Sequence, residues 1–453
     1  MKIIIAGCGK IGSTLISSLV AEGHDIVAID NNPAVISELT NIYDVMGICG
    51  NGVDSDILEE AGITECDLFV SVAGSDELNM LSCFLARKLG AKHTVARIRT
   101  PEYNDKSLGI MKNHLELSLT INPERLAAHD LFNILKFPSA VKIESFSRRY
   151  LEIIEIRLKE DSLLDGIKLC DIYGKFNAKV LVCCIQRDDQ VFIPNGTFVL
   201  KSGDRIGITA THNELQKFFK TLGQMQKQAK DVMLLGGGRV SYYLAEMLTN
   251  IGTSVKIIEQ DEKTCELLSE LVPKATVIHG DGAQQELLVE EGLLNTDAFV
   301  SLTGMDEENI LVSIFASSQN VPKVIAKVNR DELASMAEKL GVESLVSPKK
   351  IVSDLIISYA RALQNSMGSN VETLYKLMDD KAEALEFNVV EDSKVIGIPL
   401  KDLKIKKNIL IGGIIRNRKT IIPGGNDIIL SGDKVVVIAA DHRLQDLSDI
   451  LDK

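Results

Sequence analysis

The chain has 453 residues, which is enough for two to four domains. Hydrophobic residues make up 45% and charged residues 25%, as in ordinary soluble globular proteins. The formal net charge of -13 argues against a nucleic-acid-binding protein, because phosphate affinity comes from clustered lysine and arginine. No apolar run approaches the roughly 20 residues that cross a bilayer, and no signal peptide is apparent, which predicts a cytoplasmic protein.

The beginning of the chain predicts alternating strands and helices. Short runs rich in β-branched residues indicate buried strands over 3–5, 26–29, 69–72 and 94–98. Helical patterns lie between them, over 11–22, 33–39 and 77–89. This alternation predicts an α/β fold with a doubly wound parallel sheet, that is, a Rossmann-like domain.

A glycine-rich loop joins the first predicted strand to the first predicted helix. Gly7-Cys8-Gly9-Lys10-Ile11-Gly12 has the G-x-G-x-x-G pattern of dinucleotide-binding folds. The first glycine permits a tight turn, the second lets a pyrophosphate approach the backbone, and the third lets the helix pack on the strand. The helix N-terminus then offers N–H groups to the phosphates. The loop predicts a nucleotide site, with glycines needed only for a tight turn as the alternative.

An acidic residue, Asp30, ends the second predicted strand. Dinucleotide-binding folds place a carboxylate here that accepts hydrogen bonds from ribose hydroxyls. Its charge would repel a 2′-phosphate and no arginine follows it, which favours an NAD-type or other adenosine ribose without that phosphate. The alternative is a surface carboxylate that caps the helix after Pro33.

Ligands of open α/β sheets bind along the edge formed by the carboxyl ends of the strands. At this edge Gly74 would let the backbone approach a ribose or adenine. Arg97 ends the next strand, and it is interpreted either as a residue that reaches a phosphate or as a solvated side chain. Asp76 is interpreted equally well as part of the site or as a helix cap.

The chain is a tandem duplication. An offset of 229 residues carries Gly7 onto Gly236 and Asp30 onto Glu259. An offset of 230 carries the segment 67–71 onto 297–301. Such a near-constant offset over several landmarks indicates two copies of one unit.

The glycine loop of the second copy differs at its third glycine. It reads Gly236-Gly237-Gly238-Arg239-Val240-Ser241, so a serine stands where the helix packs on the strand. The helix and the strand are therefore expected to separate slightly. We expect this copy to bind a nucleotide more weakly or with another preference.

A smaller segment with short β-rich runs follows each copy, and Ser-Gly-Asp recurs near its end, at 202–204 and 431–433. The sequence thus predicts two Rossmann-like domains, each followed by a small α+β domain. The predicted boundaries are 1–139, 140–225, 226–369 and 370–453. Eight cysteines are scattered without the spacing of a zinc site or a disulfide framework, so buried free thiols and no metal site are expected.

The order of these motifs resembles the RCK (regulator of potassium conductance) family. The glycine loop, Asp30, Gly50-Asn51-Gly52, the segment 73–80 and Ala96-Arg97-Ile98-Arg99 look like an RCK N-terminal domain, and the smaller segment looks like an RCK C-terminal domain. Two such pairs without a membrane segment resemble the cytosolic NAD-binding subunits of Trk-type potassium uptake systems. The resemblance implies a homo-oligomeric ring at the cytoplasmic face of the membrane, controlling a potassium-translocating membrane subunit.

The resemblance also implies which residues contact the nucleotide. To these residues we add Cys8 and Gly237, because they belong to the two glycine loops. In the first half these are Gly7, Cys8, Gly9, Lys10, Ile11, Asp30, Ala73, Gly74 and Arg97. In the second half they are Gly236, Gly237, Gly238, Arg239, Val240, Glu259, Thr303, Gly304 and Lys327. The expected ligand is NAD(H) in the first half and NAD(H) or ATP/ADP in the second.

Three other functions fit the sequence less well. A dehydrogenase needs a substrate domain with a proton-transferring side chain. The chain has only seven histidines, and His24, His93 and His114 have no partner evident in the sequence. A transcription regulator needs a basic helix-turn-helix, which the charge disfavours. A scaffold with vestigial sites is the third alternative. The duplicated pair of modules in fixed order favours a regulatory protein without catalytic activity.

Overall fold

The computed structural model describes residues 1–103, 105–137, 140–147, 150–188, 190–223, 228–342, 344–365 and 371–452. They form two compact units. One unit contains 1–129 with 347–360, and the other contains 130–346 with 361–453. The three domain boundaries predicted above fall at or beside residues outside the described ranges, and they stay predictions.

The first unit is built on a Rossmann-like sheet. Strands β1 to β6 span Lys2–Ala6, Asp25–Asp30, Met46–Cys49, Leu68–Ser71, His93–Arg97 and Leu119–Ile121. Helices α1 to α6 span Lys10–Ala21, Pro33–Ile42, Ser55–Glu60, Asp76–Leu89, Asp105–His114 and Pro123–Lys136. The strands are parallel in the order β3-β2-β1-β4-β5-β6. This order reverses between β1 and β4, where such folds bind their ligands.

A small domain follows in the second unit. Strands β7 to β11 span Lys142–Phe146, Leu151–Arg157, Leu181–Arg187, Gln190–Phe192 and Arg205–Ala210. Helices α7 and α8 span Ile172–Phe176 and His212–Thr221. The sheet order is β10-β9-β11-β8-β7, with antiparallel pairs.

The second Rossmann-like domain repeats the first. Strands β12 to β17 span Asp231–Leu235, Ser254–Glu259, Thr276–His279, Ala298–Ser301, Lys323–Lys327 and Ser344–Val346. Helices α9 to α14 span Arg239–Asn250, Glu262–Leu271, Gln285–Glu290, Asp306–Ser318, Asp331–Lys339 and Pro348–Asn365. The order β14-β13-β12-β15-β16-β17 is that of the first sheet. Residues 347–360, which include most of α14, belong to the first unit.

The second small domain closes the chain. Strands β18 to β22 span Val371–Leu377, Ala382–Asn388, Ile409–Arg416, Lys419–Ile421 and Lys434–Ala440. Their antiparallel order is β18-β19-β22-β20-β21. The two small sheets share one apolar core, in which Phe146 and Cys184 of the first join Leu377 and Ile438 of the second. This shared core makes the small domains one structural body within the second unit.

The predicted fold is confirmed, with two parallel Rossmann-like sheets and two small antiparallel ones. All eight cysteines are free, but Cys49 and Cys170 are exposed, so the prediction of burial is wrong for these two. Among the described residues, no helix has both the length and the apolar character that crossing a membrane requires.

Candidate nucleotide-binding clefts

The first glycine of the loop brings β1 against the end of β4. Gly7 has φ of 91°, and a Cβ built on it would lie 2.6 Å from the Ala73 nitrogen. Its amide donates to the Ile29 carbonyl at 2.9 Å, which ties the loop to β2 as well. Only glycine combines this conformation with so close a neighbour.

The second glycine leaves the start of α1 open. Gly9 is the N-cap residue with φ of -66°, and no described side chain caps the helix. No described atom lies within 4 Å of a Cβ built on Gly9. Lys10 and Ile11 begin the helix, and the Lys10 side chain is exposed. The open space and the uncapped first-turn amides fit a pyrophosphate.

Asp30 ties the end of β2 to the glycine loop. Its Oδ2 accepts from the Cys8 amide at 2.7 Å, and its Oδ1 accepts from the Asn32 amide at 2.9 Å. The cap of α2 is Asn32, whose Oδ1 accepts from the Ala34 amide at 3.0 Å. The alternative in which Asp30 caps this helix is therefore wrong. A carboxylate has about four lone-pair sites, so Asp30 keeps capacity for ribose hydroxyls.

Cys8 contributes its backbone rather than its thiol. Its side chain is buried, and its Sγ lies 3.5 Å from the Ile29 carbonyl oxygen. Burial, reinforced by the charge of Asp30, raises the pKa of the thiol to about 12. The thiol is protonated at neutral pH and is not a nucleophile.

At the end of β4, Ala73 and Gly74 form the far wall of the cleft. A Cβ on Gly74 would meet no described atom within 4 Å, so the backbone is open to a ligand. Arg97 is only 8% exposed, and its guanidinium donates to the Ala73 carbonyl. Arg97 thus lies at the predicted edge of the sheet, where its hydrogen bond fixes the position of the Ala73 backbone. Its contact with a phosphate stays a prediction.

Asp76 has a role that neither sequence interpretation covered. Its Oδ2 accepts from the Arg99 and Thr100 amides, each at 2.8 Å. Ser75 caps α4, with its hydroxyl accepting from the Leu78 amide at 3.3 Å. The helix-cap interpretation of Asp76 is therefore wrong, because the carboxylate anchors the loop after β5.

The second cleft has the same construction around a looser turn. Gly236 has φ of 93°, but its hypothetical Cβ would lie 3.0 Å from the Thr303 nitrogen, which is further than in the first copy. Gly238 is the N-cap of α9, and no described atom lies within 4 Å of a Cβ on it. Ser241 is buried, and its hydroxyl donates to the Gly236 carbonyl, so the added side chain makes a new bond.

The second copy keeps a carboxylate at the ribose position through two linked replacements. Glu259 stands in place of Asp30, and Gly237 stands in place of Cys8. Glu259 accepts from the Gly237 amide and, at 2.8 Å, from the Asp261 amide, as Asp30 does with its own loop. A Cβ on Gly237 would lie 3.0 Å from Glu259 and 2.6 Å from Leu268. Leu268 and the longer acid Glu259 thus fill the space beside Gly237, where the first copy has the Cys8 side chain.

The remaining predicted residues lie along the same edge. Arg239 and Val240 begin α9, with the arginine exposed and the valine buried, so the valine offers only its backbone. Gly304 is as open as Gly74. Lys327 donates to the Leu302 carbonyl at 3.1 Å, and the Thr303 hydroxyl donates to Glu308 at 3.1 Å. All predicted residues of each copy line one edge of one sheet, and their contact with a nucleotide stays a prediction.

Sequence reasoning gave no role to a buried asparagine in each cleft. The Asn79 amide donates to the carbonyls of Ala73 and Arg97, at 3.1 and 2.9 Å. The Asn309 amide donates to those of Thr303 and Lys327, at 3.2 and 2.9 Å. Each asparagine therefore links the backbone after the fourth strand of its sheet to the end of the fifth strand. The one sequence signal for such a role is that the two asparagines are related by the repeat offset of 230 residues.

We expect Gly12→Ala to lower the free energy of unfolding of the first unit by about 1–3 kcal/mol. A Cβ here would lie 2.0 Å from the Gly7 carbonyl oxygen, so α1 has to move away from the loop. Urea unfolding followed by circular dichroism measures the change, because the chain has no tryptophan for fluorescence. Gly74→Ala is the control, since a Cβ there meets no described atom within 4 Å, and it should change stability by less than about 0.5 kcal/mol. Equal losses in the two variants would contradict the steric argument.

Comparison with known proteins agrees with this architecture. The TrkA-N domain family model matches residues 3–113 and 232–348, and the TrkA-C domain model matches 153–223 and 384–452. A Trk system potassium uptake protein TrkA homolog of Archaeoglobus fulgidus is 31% identical over 451 residues, which cover 99% of this chain and 100% of that protein.

Two solved structures share the fold. The crystal structure of the GsuK RCK domain has a TM-score of 0.64 at 15% identity, covering 97% of this chain and 92% of its own. The GsuK channel bound to NAD has a TM-score of 0.62 at 15% identity, covering 97% and 77%. At these identities the likeness shows the fold alone.

Proposed function

The chain belongs to the TrkA family of Trk system potassium uptake proteins, and from this premise we propose that it is the cytosolic NAD(H)-binding regulatory subunit of such a system. The observation that carries the proposal is the same in both copies. An open helix N-terminus begins at Gly9 or Gly238, and the loop before it is held by Asp30 or Glu259. A pyrophosphate and a ribose need these two features side by side.

The proposed ligand of the first cleft is NAD(H), and that of the second is NAD(H) or ATP/ADP. The proposed contacts are the residues predicted above for each half. The carboxylates favour an unphosphorylated adenosine ribose, because a 2′-phosphate would meet the negative charge of Asp30 or Glu259. The NAD in the GsuK channel belongs to that channel, and it fits the same chemistry.

The proposed partner is a Trk-type potassium-translocating membrane subunit, which would hold this protein at the cytoplasmic face of the membrane. We further propose a homo-oligomeric ring and four domains, 1–139, 140–225, 226–369 and 370–453. No catalysis is proposed. A ligand regulates by its differential affinity for two shapes of the assembly, so nucleotide exchange shifts the population of the shape that opens the partner.

Replacing Gly9 with valine tests the first cleft. We expect the dissociation constant for NADH there to rise at least about tenfold, since losing one charge-assisted hydrogen bond costs about 1.5–3 kcal/mol. Titration calorimetry on the full chain should lose one class of site in Gly9→Val and the other in Gly238→Val. Gly109→Val, on the exposed face of α5, is the control and should leave binding unchanged.

Potassium flux in vesicles containing the membrane partner extends this test to regulation. The parent should make flux depend on the nucleotide, and the variant with both valines should not. Unchanged NADH binding in Gly9→Val would show that the site is placed wrongly. Sustained NADH oxidation with a defined substrate, or flux indifferent to both nucleotide and this subunit, would overturn the regulatory proposal.

A further inference from the structure

The two clefts share their backbone geometry but differ in charge at two positions beside the proposed ligand. Asn32 and Asp261 are structurally equivalent, because each caps the helix after the ribose carboxylate and donates its amide to that carboxylate. Leu78 and Glu308 are equivalent, because each immediately precedes the asparagine that holds the cleft wall. At both positions a neutral residue of the first cleft is an acid in the second.

Both acids lie beside residues assigned to the ligand. The Asp261 side chain accepts from the Thr264 amide and hydroxyl, at 2.8 and 2.7 Å, and these bonds lower the pKa of its carboxyl. The Glu308 carboxylate accepts from the Thr303 hydroxyl at 3.1 Å. One acid therefore lies beside the ribose end of the cleft and the other at its far wall.

Other substitutions around the cleft do not cancel this difference. In the turn after the third strand, Asn51 and Asp54 correspond to Asp281 and Gln284, so one acid is exchanged for another. In the loop after the fifth strand, Arg99 and Thr100 correspond to Asn329 and Arg330, so one cation is also exchanged for another. In addition, Arg330 is already paired with Glu307. After the second strand, Glu262 and Lys263 stand where the first copy has Pro33 and Ala34, so an acid and a cation are added together. In the loop after the fifth strand, Asp331 stands where the first copy has Pro101 and adds another acid. The second cleft is thus the more negative one, and Asp261 and Glu308 are the added acids beside residues assigned to the ligand.

We propose that Asp261 and Glu308 make the second cleft select dinucleotides such as NAD(H), with an internal pyrophosphate, over nucleotides with terminal phosphates such as ADP and ATP. The inference rests on the proposed function. Terminal phosphates carry more negative charge, and each additional charge is repelled by both acids. The first cleft lacks these acids, so it is expected to bind its proposed ligand NAD(H) with weaker discrimination against ADP and ATP.

The test measures nucleotide affinity at each cleft of the full chain while a valine substitution blocks the other cleft. In the Gly9→Val background, binding of NAD+ and of magnesium-free ATP reports on the second cleft, and Gly238→Val gives the first. We expect the ratio of the ATP to the NAD+ dissociation constant to be about tenfold higher in the second cleft. Raising the salt concentration should shrink this difference, since the acids are solvent-accessible.

Exchanging the two residues between the copies isolates their effect. Asp261→Asn with Glu308→Leu should tighten ATP in the second cleft by about tenfold and NAD+ by less, and Asn32→Asp with Leu78→Glu should weaken ATP in the first. Asp231→Asn with Glu290→Gln removes the same charge; Asp231 begins β12, at the opposite edge of the sheet, and Glu290 ends α11. This control should leave the ratio unchanged.

The outcomes separate the two proposals. If Gly238→Val leaves the number of NAD+ sites unchanged, the site assignment fails. If both clefts bind as assigned but their ATP to NAD+ ratios are equal, or if the exchange variants behave like the control, only the selectivity fails.

Discussion

Arg205→Met is expected to lower the free energy of unfolding of the second unit by about 3–5 kcal/mol, because it leaves buried carboxylates without their cation. Arg205 lies on β11 and is 6% exposed. Its Nε donates to Glu155 of β8 at 2.8 Å, and its Nη1 donates to Asp379 of the second small domain at 3.0 Å. Glu338 of α13 lies 3.9 Å from the same Nη1.

The charge of this arginine is maintained by its surroundings. Burial opposes it, but Glu155, Asp379 and Glu338 outweigh burial and raise the pKa of Arg205 above its usual value. Conversely, burial raises the pKa of Glu338, with the Asp379 charge acting in the same direction. Glu155 is only 1% exposed, and it accepts hydrogen bonds from Arg205 and, at 3.2 Å, from the Met378 amide.

Three elements of the second unit therefore meet at one guanidinium: a strand of the first small domain, a turn of the second, and a helix of the nucleotide-binding domain. Urea unfolding by circular dichroism measures the loss in Arg205→Met, and hydrogen exchange locates it. Glu307→Gln breaks only the exposed ion pair of Glu307 with Arg330, leaves that arginine beside the buried Asp306, and should cost no more than about 1 kcal/mol. Adding Glu155→Leu to Arg205→Met should restore part of the loss, since it removes the unpaired buried charge. A loss below that of the control would mean that water or other donors satisfy the carboxylates.

The core strands were predictable because they are continuous apolar runs. The runs at 3–5 and 26–29 lie in β1 and β2, and those at 69–72 and 94–98 extend one residue beyond the ends of β4 and β5. These four strands occupy the middle of the sheet and are buried on both faces. The outer strands β3 and β6 gave no such signal. Met46–Cys49 contains a glycine and is partly exposed, and Leu119–Ile121 is only three residues long.

The cleft was predictable where its chemistry is local in sequence. The glycine loop and Asp30 are motif residues whose spacing is set by one strand, one helix and one more strand. The roles of Asp76 and Arg205 were not predictable, because their partners come from elsewhere in the chain. Asp76 binds amides 23 and 24 residues away, and Arg205 contacts Glu155 and Asp379, at separations of 50 and 174 residues. Pairings of this kind are decided by the tertiary structure alone.

Asn79→Leu is expected to lower the free energy of unfolding of the first unit by about 2–4 kcal/mol. The side chain is fully buried, and leucine has nearly its shape but neither its donors nor its acceptor. The carbonyls of Ala73 and Arg97 both lose the hydrogen bond that the Asn79 amide donates, although the Ala73 carbonyl still accepts from the Arg97 guanidinium. The Ser71 hydroxyl also loses its acceptor, the Asn79 Oδ1 at 2.9 Å. Each buried polar group left unsatisfied costs about 1–3 kcal/mol.

The same substitution should weaken NADH binding in the first cleft, because Asn79 holds the Ala73 wall and the end of β5 at a fixed distance from each other. Urea unfolding gives the stability, and calorimetry in the Gly238→Val background gives the binding. Asn41→Leu, an exposed position on α2, is the matched control and should change stability by less than about 0.5 kcal/mol. Asn309→Leu should reproduce both effects in the second copy, where the same amide holds the Thr303 and Lys327 carbonyls. If Asn79→Leu loses stability while NADH affinity stays at the parent value, the asparagine supports the fold without positioning the cleft.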